Sequence, residues 1–163
     1  AQIQNTDKLI LRITLWFGIV ALFTLCKEYS FLKFMIDMGK WDVSAVLTVL
    51  PIVILPIASI LFWFRKKAGW FMLTAISTYT VVSIVPIIVM WVNYKPSGIA
   101  ALDNLSTLNS PVTYIIPAII FGLVIWHLSK TDMRAVYNAD KTLLFIAIGV
   151  GASVPLGFAI SFL

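Results

Sequence analysis

Long stretches without a charged side chain restrict the folds that this sequence can adopt. Residues 44–64, 68–94 and 142–163 contain no Asp, Glu, Lys or Arg. Each is long enough to cross a bilayer as a helix, which takes about 20 residues. Two further candidates are 111–128, which is shorter, and 9–26, which Arg12 interrupts. The sequence therefore predicts an all-α integral membrane bundle of about five transmembrane helices, in a single domain over 1–163.

The composition excludes several classes of protein. Hydrophobic residues make up 61% of the chain and charged residues 12%. A soluble domain of this size could not bury so much apolar surface, and a disordered chain needs the opposite balance. The single cysteine, Cys26, excludes an internal disulfide framework. The net charge of +5 is better explained by orientation in a membrane than by nucleic-acid binding, so we expect no nucleic-acid partner.

The basic residues predict the orientation of the chain. With the N-terminus inside, eight of the twelve Lys and Arg residues fall in inner segments. Cytoplasmic loops carry such an excess, so we expect the N-terminus in the cytoplasm and the C-terminus outside. The predicted headgroup anchors are Arg12, Arg65, Lys66 and Lys67, with Arg12 close enough to the helix start for its side chain to snorkel. The small size and the lack of eukaryotic sorting signals favour a bacterial inner membrane.

The connector after the first span carries a short apolar pattern. Phe31, Phe34, Met35 and Met38 recur at the spacing of one helical face. This predicts a separate amphipathic helix over about 29–41 that lies in the membrane interface. Its role is either a cap over the bundle or a docking surface or gating element.

Hydroxyl side chains are concentrated in the third predicted span. In lipid, such groups bond between helices or to the carbonyl one turn earlier. We expect a polar packing face or, as an alternative, the lining of a water-filled path. The residues are Thr74, Ser77, Thr78, Thr80 and Ser83.

Prolines occur in four of the five predicted spans. Each removes a backbone donor and tends to kink its helix, so these positions are candidate hinges. They are Pro51, Pro56, Pro86, Pro117 and Pro155.

The fifth predicted span is rich in small residues. Small side chains repeated every four residues let helix backbones approach closely. We expect this span to pack within the chain and between copies of it. The candidate interface residues are Ala147, Gly149, Gly151, Ser153 and Gly157.

The sequence offers little that could perform chemistry. No Asp or Glu lies inside a predicted span, and His127 is the only histidine. Known nucleophile, phosphate-binding and zinc motifs are missing from the chain, so we expect no enzymatic activity, metal or cofactor. The predicted function is assembly in the bilayer, as a subunit, accessory factor or immunity-type recognition protein. The expected partners are the lipid bilayer, other membrane subunits or a second copy, and the alternative is an oligomeric channel or small-solute transporter lined by the third span.

Overall fold

The computed structural model describes residues 2–39, 43–93 and 112–160, and nearly all of them are helical. No strand occurs within these ranges. The helices in chain order are α1 (Gln2–Met38), α2 (Val43–Trp63), α3 (Lys67–Val82), α4 (Ile84–Asn93), α5 (Val112–Ser129), α6 (Thr131–Val136) and α7 (Lys141–Ile160). The fold is therefore all-α over the described residues, as the sequence predicts.

Helix α1 differs from the expectation of two separate helices. It continues without a break through the segment where we expected the interfacial helix to begin. The physical reason is that no glycine or proline occurs between Ile19 and Met38, so nothing local stops the helix. It ends at Gly39, whose φ of 61° and bond from its N–H to the Met35 carbonyl (3.2 Å) form a left-handed cap.

The apolar face predicted near the end of α1 is only partly buried. Met35 is buried, whereas Phe34 and Met38 are 56% and 49% exposed. The side chain of Phe31 and the last two residues of the predicted 29–41 helix lie outside the described part.

The third predicted span consists of two helices. Ser83 separates α3 from α4, and Pro86 follows three residues later. Proline lacks an N–H, and its ring clashes with the carbonyl four residues earlier, here that of Val82. Among the five candidate hinge prolines, Pro86 alone adjoins such a break, while Pro51, Pro56, Pro117 and Pro155 lie within continuous helices.

Two helical stretches are long and apolar enough to cross a membrane. They are Thr6–Ser30 and Lys67–Asn93, and only 22% and 18% of their most apolar windows are buried. The core helix of a soluble protein is mostly buried, so this exposure fits a lipid-facing helix better. Shorter apolar helices cover Ile52–Trp63, Tyr114–Ser129 and Lys141–Gly157. The described residues thus contain two candidate spans, and the predicted bundle of five spans is not confirmed.

The chain forms two compact units. The first comprises Ala1–Leu73 and Thr131–Ala139, and in it α1 packs along α2. Its largest fully buried side chains are Phe17, Phe62, Trp70, Leu73, Met133 and Tyr137.

The second unit comprises Thr74–Lys130 and Asp140–Leu163. In it α4 packs against α7 and, less extensively, against α5. Helix α7 begins after Asp140, whose carboxylate accepts a bond from the Leu143 N–H (2.9 Å). Such a cap satisfies one of the free donors at a helix N-terminus and fixes where α7 starts.

Candidate functional site

The turn after α2 in the first unit has an unusual backbone conformation. The Lys66 N–H bonds to the Leu61 carbonyl and the Arg65 N–H to that of Phe62, both at 2.9 Å, which is the pattern of a Schellman motif. Arg65 occupies its left-handed position with a φ of 54°. Glycine or asparagine is preferred there, since a Cβ costs about 1–2 kcal/mol in this conformation.

The Arg65 side chain pairs with the start of α1. Its Nη2 atom donates to the Asp7 carboxylate at 2.8 Å, and both side chains are about half exposed. An exposed pair of this kind contributes about 0–1 kcal/mol. The pair joins the end of α2 to α1 within the first unit.

A second polar contact reaches the same turn from the segment after α6. The Tyr137 hydroxyl donates to the Phe62 carbonyl at 3.0 Å, and the two rings stack with their centroids 4.7 Å apart. Burial raises the pKa of the Tyr137 phenol above its usual value, although the nearby Arg65 charge acts in the opposite direction. The phenol therefore stays protonated and available as a donor.

The predicted headgroup anchors are all exposed. Arg65, Lys66 and Lys67 are consecutive in the α2–α3 turn, and Arg12 lies on α1. They belong to the first unit, where their charges can reach solvent or a lipid surface.

The hydroxyl face of α3 divides into a buried and a partly exposed set. Thr74 and Ser77 are 0% exposed and Thr78 is 3% exposed, whereas Thr80 and Ser83 are only partly buried. The hydroxyls of Thr78, Thr80 and Ser83 donate to the carbonyl one turn earlier, at 2.9, 3.0 and 2.6 Å. The Ser77 hydroxyl is buried without a hydrogen-bond partner among the described residues. Three of the five hydroxyls therefore bond to a carbonyl one turn earlier in the same segment.

The small residues of α7 lie on two faces. Ala147 and Gly151 are buried. A Cβ on Gly151 would meet the Ala75 carbonyl oxygen and would lie 2.8 Å from the Thr78 Cβ, so the backbones of α7 and α3 approach closely here. We call Ala147 and Gly151 the inner face of α7.

The other three residues form the outer face of α7. Gly149, Ser153 and Gly157 are exposed in this chain. A Cβ on either glycine would meet nothing within 4 Å. Their spacing places them one above another on the helix surface, so they leave a shallow strip with no neighbour among the described residues.

The described residues contain no cluster that could hold a metal. No group of three or more His, Cys, Asp or Glu side chains comes together in these ranges. The Nδ1 atom of His127 lies 2.8 Å from the Leu123 carbonyl oxygen, and Lys130 lies over the Trp126 ring at 3.9 Å from its centroid. These are local contacts at the end of α5.

Sequence reasoning missed Asp7 and Tyr137. Both bond to partners far along the chain, 58 and 75 residues away, and no local pattern marks such pairs. Comparison with known proteins adds no assignment, because no family model, no curated protein and no solved structure matches the chain.

Proposed function

We propose that this chain is a multi-pass membrane protein that acts by assembly, as a subunit, accessory factor or recognition protein of the immunity or defence type. The observation that carries the proposal is the outer face of α7. Gly149, Ser153 and Gly157 form an exposed strip of small residues. In lipid, helices associate where small side chains let backbones approach and pack closely.

The inner face of α7 supports this interpretation. At Gly151 the helix already makes such a close approach within the chain, against Ala75 and Thr78. The outer face, like the inner face, consists of small residues spaced four apart, but it has no neighbour within the second unit. A second helix, from another subunit or from another copy, would pack against Gly149 and Gly157 as α3 does against Gly151.

The proposed topology has five membrane passes. Besides the two candidate spans, α2, α5 and α7 contain 21, 18 and 20 residues. At 1.5 Å per residue these helices are about 27–32 Å long, which is close to the thickness of the hydrocarbon core. We place the N-terminus in the cytoplasm and the C-terminus outside, in a bacterial inner membrane, because of the predominance of basic residues in the inner segments.

The proposed role is not enzymatic. The buried hydroxyls of α3 donate to their own helix or pack inside the second unit, and the charged side chains of the α2–α3 turn are exposed. Neither group provides the paired acid and base that acid–base catalysis uses.

Native mass in nanodiscs or mild detergent tests the proposal. We expect the wild-type chain to appear as a homo-oligomer or with a stoichiometric foreign subunit. Replacing Gly149 and Gly157 together by leucine blocks the strip without a clash inside the chain, and should reduce the complex to a monomer. The matched control is Gly122→Leu, because Gly122 on α5 also has open space around its Cβ. A wild-type protein that is strictly monomeric and free of partners would contradict the proposal.

The channel alternative has one observation in its favour. Ser77 carries a buried hydroxyl without a partner among the described residues, and buried polar groups of this kind are normally satisfied by protein or by water. If α3 lines a path, liposomes containing the protein will conduct ions or leak a small solute, and Ser77→Leu with Thr78→Val will reduce that flux. Sealed liposomes would eliminate this alternative.

A further inference from the structure

An open apolar groove runs between α1 and α2 in the first unit. It has a volume of about 410 Å³. Exposed apolar side chains line it, among them Leu15, Ile19 and Leu22 of α1 and Ile60 and Trp63 of α2. Gly18 lies in its wall, and a Cβ on that residue would meet nothing within 4 Å. The groove therefore leaves room beside Gly18 for a slender apolar molecule.

A charged pocket adjoins one end of the groove. This pocket of about 290 Å³ is lined by Lys8 and Arg65 together with Asp7, and Trp63 lines both cavities. Two cations against one carboxylate leave a net positive charge at the pocket. Asp7 accepts one bond from Arg65, which has five N–H donors, so further donors remain for an anion.

The dimensions of the two cavities fit one leaflet of a bilayer. From Thr14 to Leu22 the groove extends about 12 Å along α1, at 1.5 Å per residue. Half of the hydrocarbon core is about 15 Å thick. Lys8 lies six residues, or about 9 Å, before Thr14 on the same helix. The charged pocket is thus at headgroup depth when the groove is at the depth of the acyl chains.

We infer that the groove and the charged pocket together bind one anionic phospholipid, with an acyl chain beside Gly18 and the phosphate at Lys8 and Arg65. Trp63, at the junction, has the amphipathic ring that favours the headgroup boundary. The acyl chain leaves one apolar medium for another, so close packing and the headgroup charge determine the preference. The charge of the pocket is complementary to a phosphate, which every anionic phospholipid carries at headgroup depth, and this favours a lipid over an apolar partner helix. This inference rests on the membrane location proposed above.

Native mass spectrometry of the full chain tests it. The protein is reconstituted in nanodiscs of phosphatidylcholine with a minor fraction of phosphatidylglycerol, released into mild detergent, and its retained lipids are counted. We expect one phosphatidylglycerol per chain. Gly18→Leu fills the groove and should lower that occupancy roughly tenfold, while Gly122→Leu should leave it unchanged. Ile60→Trp fills the same groove from α2, and it replaces Gly18→Leu as the test if that variant does not fold.

The charged pocket is tested separately from the groove. Lys8→Gln should weaken the preference for phosphatidylglycerol about fivefold, the effect of one lysine near an anionic surface. Lys27→Gln on α1 is the control, because Lys27 lies outside both cavities and within 3.6 Å of Glu28. Millimolar inorganic phosphate should not displace the lipid, since it lacks the acyl chain.

Several outcomes would overturn the inference. These are equal lipid retention by the Gly18→Leu and Gly122→Leu variants, an anionic preference that Lys8→Gln leaves unchanged, displacement by free phosphate, or a foreign polypeptide that Gly18→Leu releases. The double variant Gly149→Leu with Gly157→Leu should convert the oligomer to a monomer without changing lipid occupancy. The proposals of a lipid site and of an assembly face can therefore be refuted independently. Release of the chain from membranes by alkaline carbonate would contradict both.

Discussion

The two units of this chain use polar side chains differently. In the first unit, Arg65 and Tyr137 bond to groups 58 and 75 residues away. In the second unit, the hydroxyls of Thr78, Thr80 and Ser83 donate to carbonyls four residues away. Hydroxyls of the first unit also bond one turn back, as those of Thr24 and Ser59 do. What distinguishes the first unit is that Arg65 and Tyr137 in addition join distant segments.

The difference shows two ways of holding apolar helices together. Both of these bonds between distant segments lie near the end of α2, where the Phe62 carbonyl accepts the Tyr137 hydroxyl in addition to the Arg65 N–H. Within a long apolar helix the carbonyls are already paired, and a hydroxyl gains little by bonding to them again. In the second unit, α7 packs along α4, and at Gly151 its backbone also approaches α3 closely. The units should therefore respond to different substitutions.

The largest effect is expected from Gly151→Ala in the second unit. The new Cβ would meet the Ala75 carbonyl oxygen, which belongs to a helix backbone and cannot rotate away. Overpacking of this kind costs about 1–3 kcal/mol, so the free energy of unfolding should fall by that amount. Denaturation of the purified protein in mixed micelles, followed by circular dichroism, measures the change.

The control for this substitution lies on α5, outside the proposed assembly face. Gly122→Ala adds the same methyl group where nothing lies within 4 Å. It should leave the stability unchanged or raise it by up to about 1 kcal/mol through helix propensity. Equal losses in the two variants would mean that the close approach to Ala75 does not hold the second unit together.

A smaller effect is expected from Tyr137→Phe in the first unit. The substitution removes the bond to the Phe62 carbonyl but keeps the stacked ring. The Phe62 carbonyl still accepts the Arg65 N–H, so it is not left without a partner. The loss should be about 1 kcal/mol, against no loss for Tyr29→Phe, whose ring is exposed. The same denaturation assay separates the two variants.

The pH dependence of stability gives Tyr137 a second signature. Its pKa is raised in the folded state because burial disfavours the phenolate. The folded state therefore binds the proton more tightly than the unfolded state, and the stability that Tyr137 contributes is complete below the unfolded pKa of about 10. It is lost as the pH rises above that value. Wild type should lose more stability than the Tyr137→Phe variant between pH 9 and 11, and parallel curves would contradict this.

Local rules predicted the helices but not every boundary. The uncharged stretches predicted an all-α chain, and the described residues confirm it. The extension of α1 to Met38 was not foreseen, because the charged residues from Lys27 onward resemble the end of a span. No glycine or proline occurs between Ile19 and Met38 to end the helix there. The break at Ser83 could be traced to Pro86, but the other four candidate prolines lie within continuous helices and cause no break. The presence of a proline in the sequence therefore does not by itself determine whether its helix is interrupted.

The candidate sites were predictable only as patterns. The spacing of small residues identified α7 as a packing helix, yet periodicity could not tell that Gly151 meets α3 while Gly149 faces outward. Likewise the run of basic residues marked the α2–α3 turn. Nothing local indicated that Arg65 would take a left-handed conformation or that Asp7 would pair with it. Such contacts depend on how distant helices meet.

The smallest effect, and the sharpest test of the first unit, concerns Arg65 itself. Arg65→Gly removes the bond to Asp7, worth about 0–1 kcal/mol, but also removes a left-handed conformation that costs about 1–2 kcal/mol. The variant should therefore be slightly more stable than wild type. Arg65→Ala loses the same bond and keeps the Cβ, so it should be less stable than Arg65→Gly by about 1 kcal/mol in the mixed-micelle assay. If the alanine variant is the more stable of the two, the backbone at Arg65 is not strained. In that case the left-handed φ of Arg65 carries no measurable cost, and the loss of the bond to Asp7 alone accounts for the effect of either substitution.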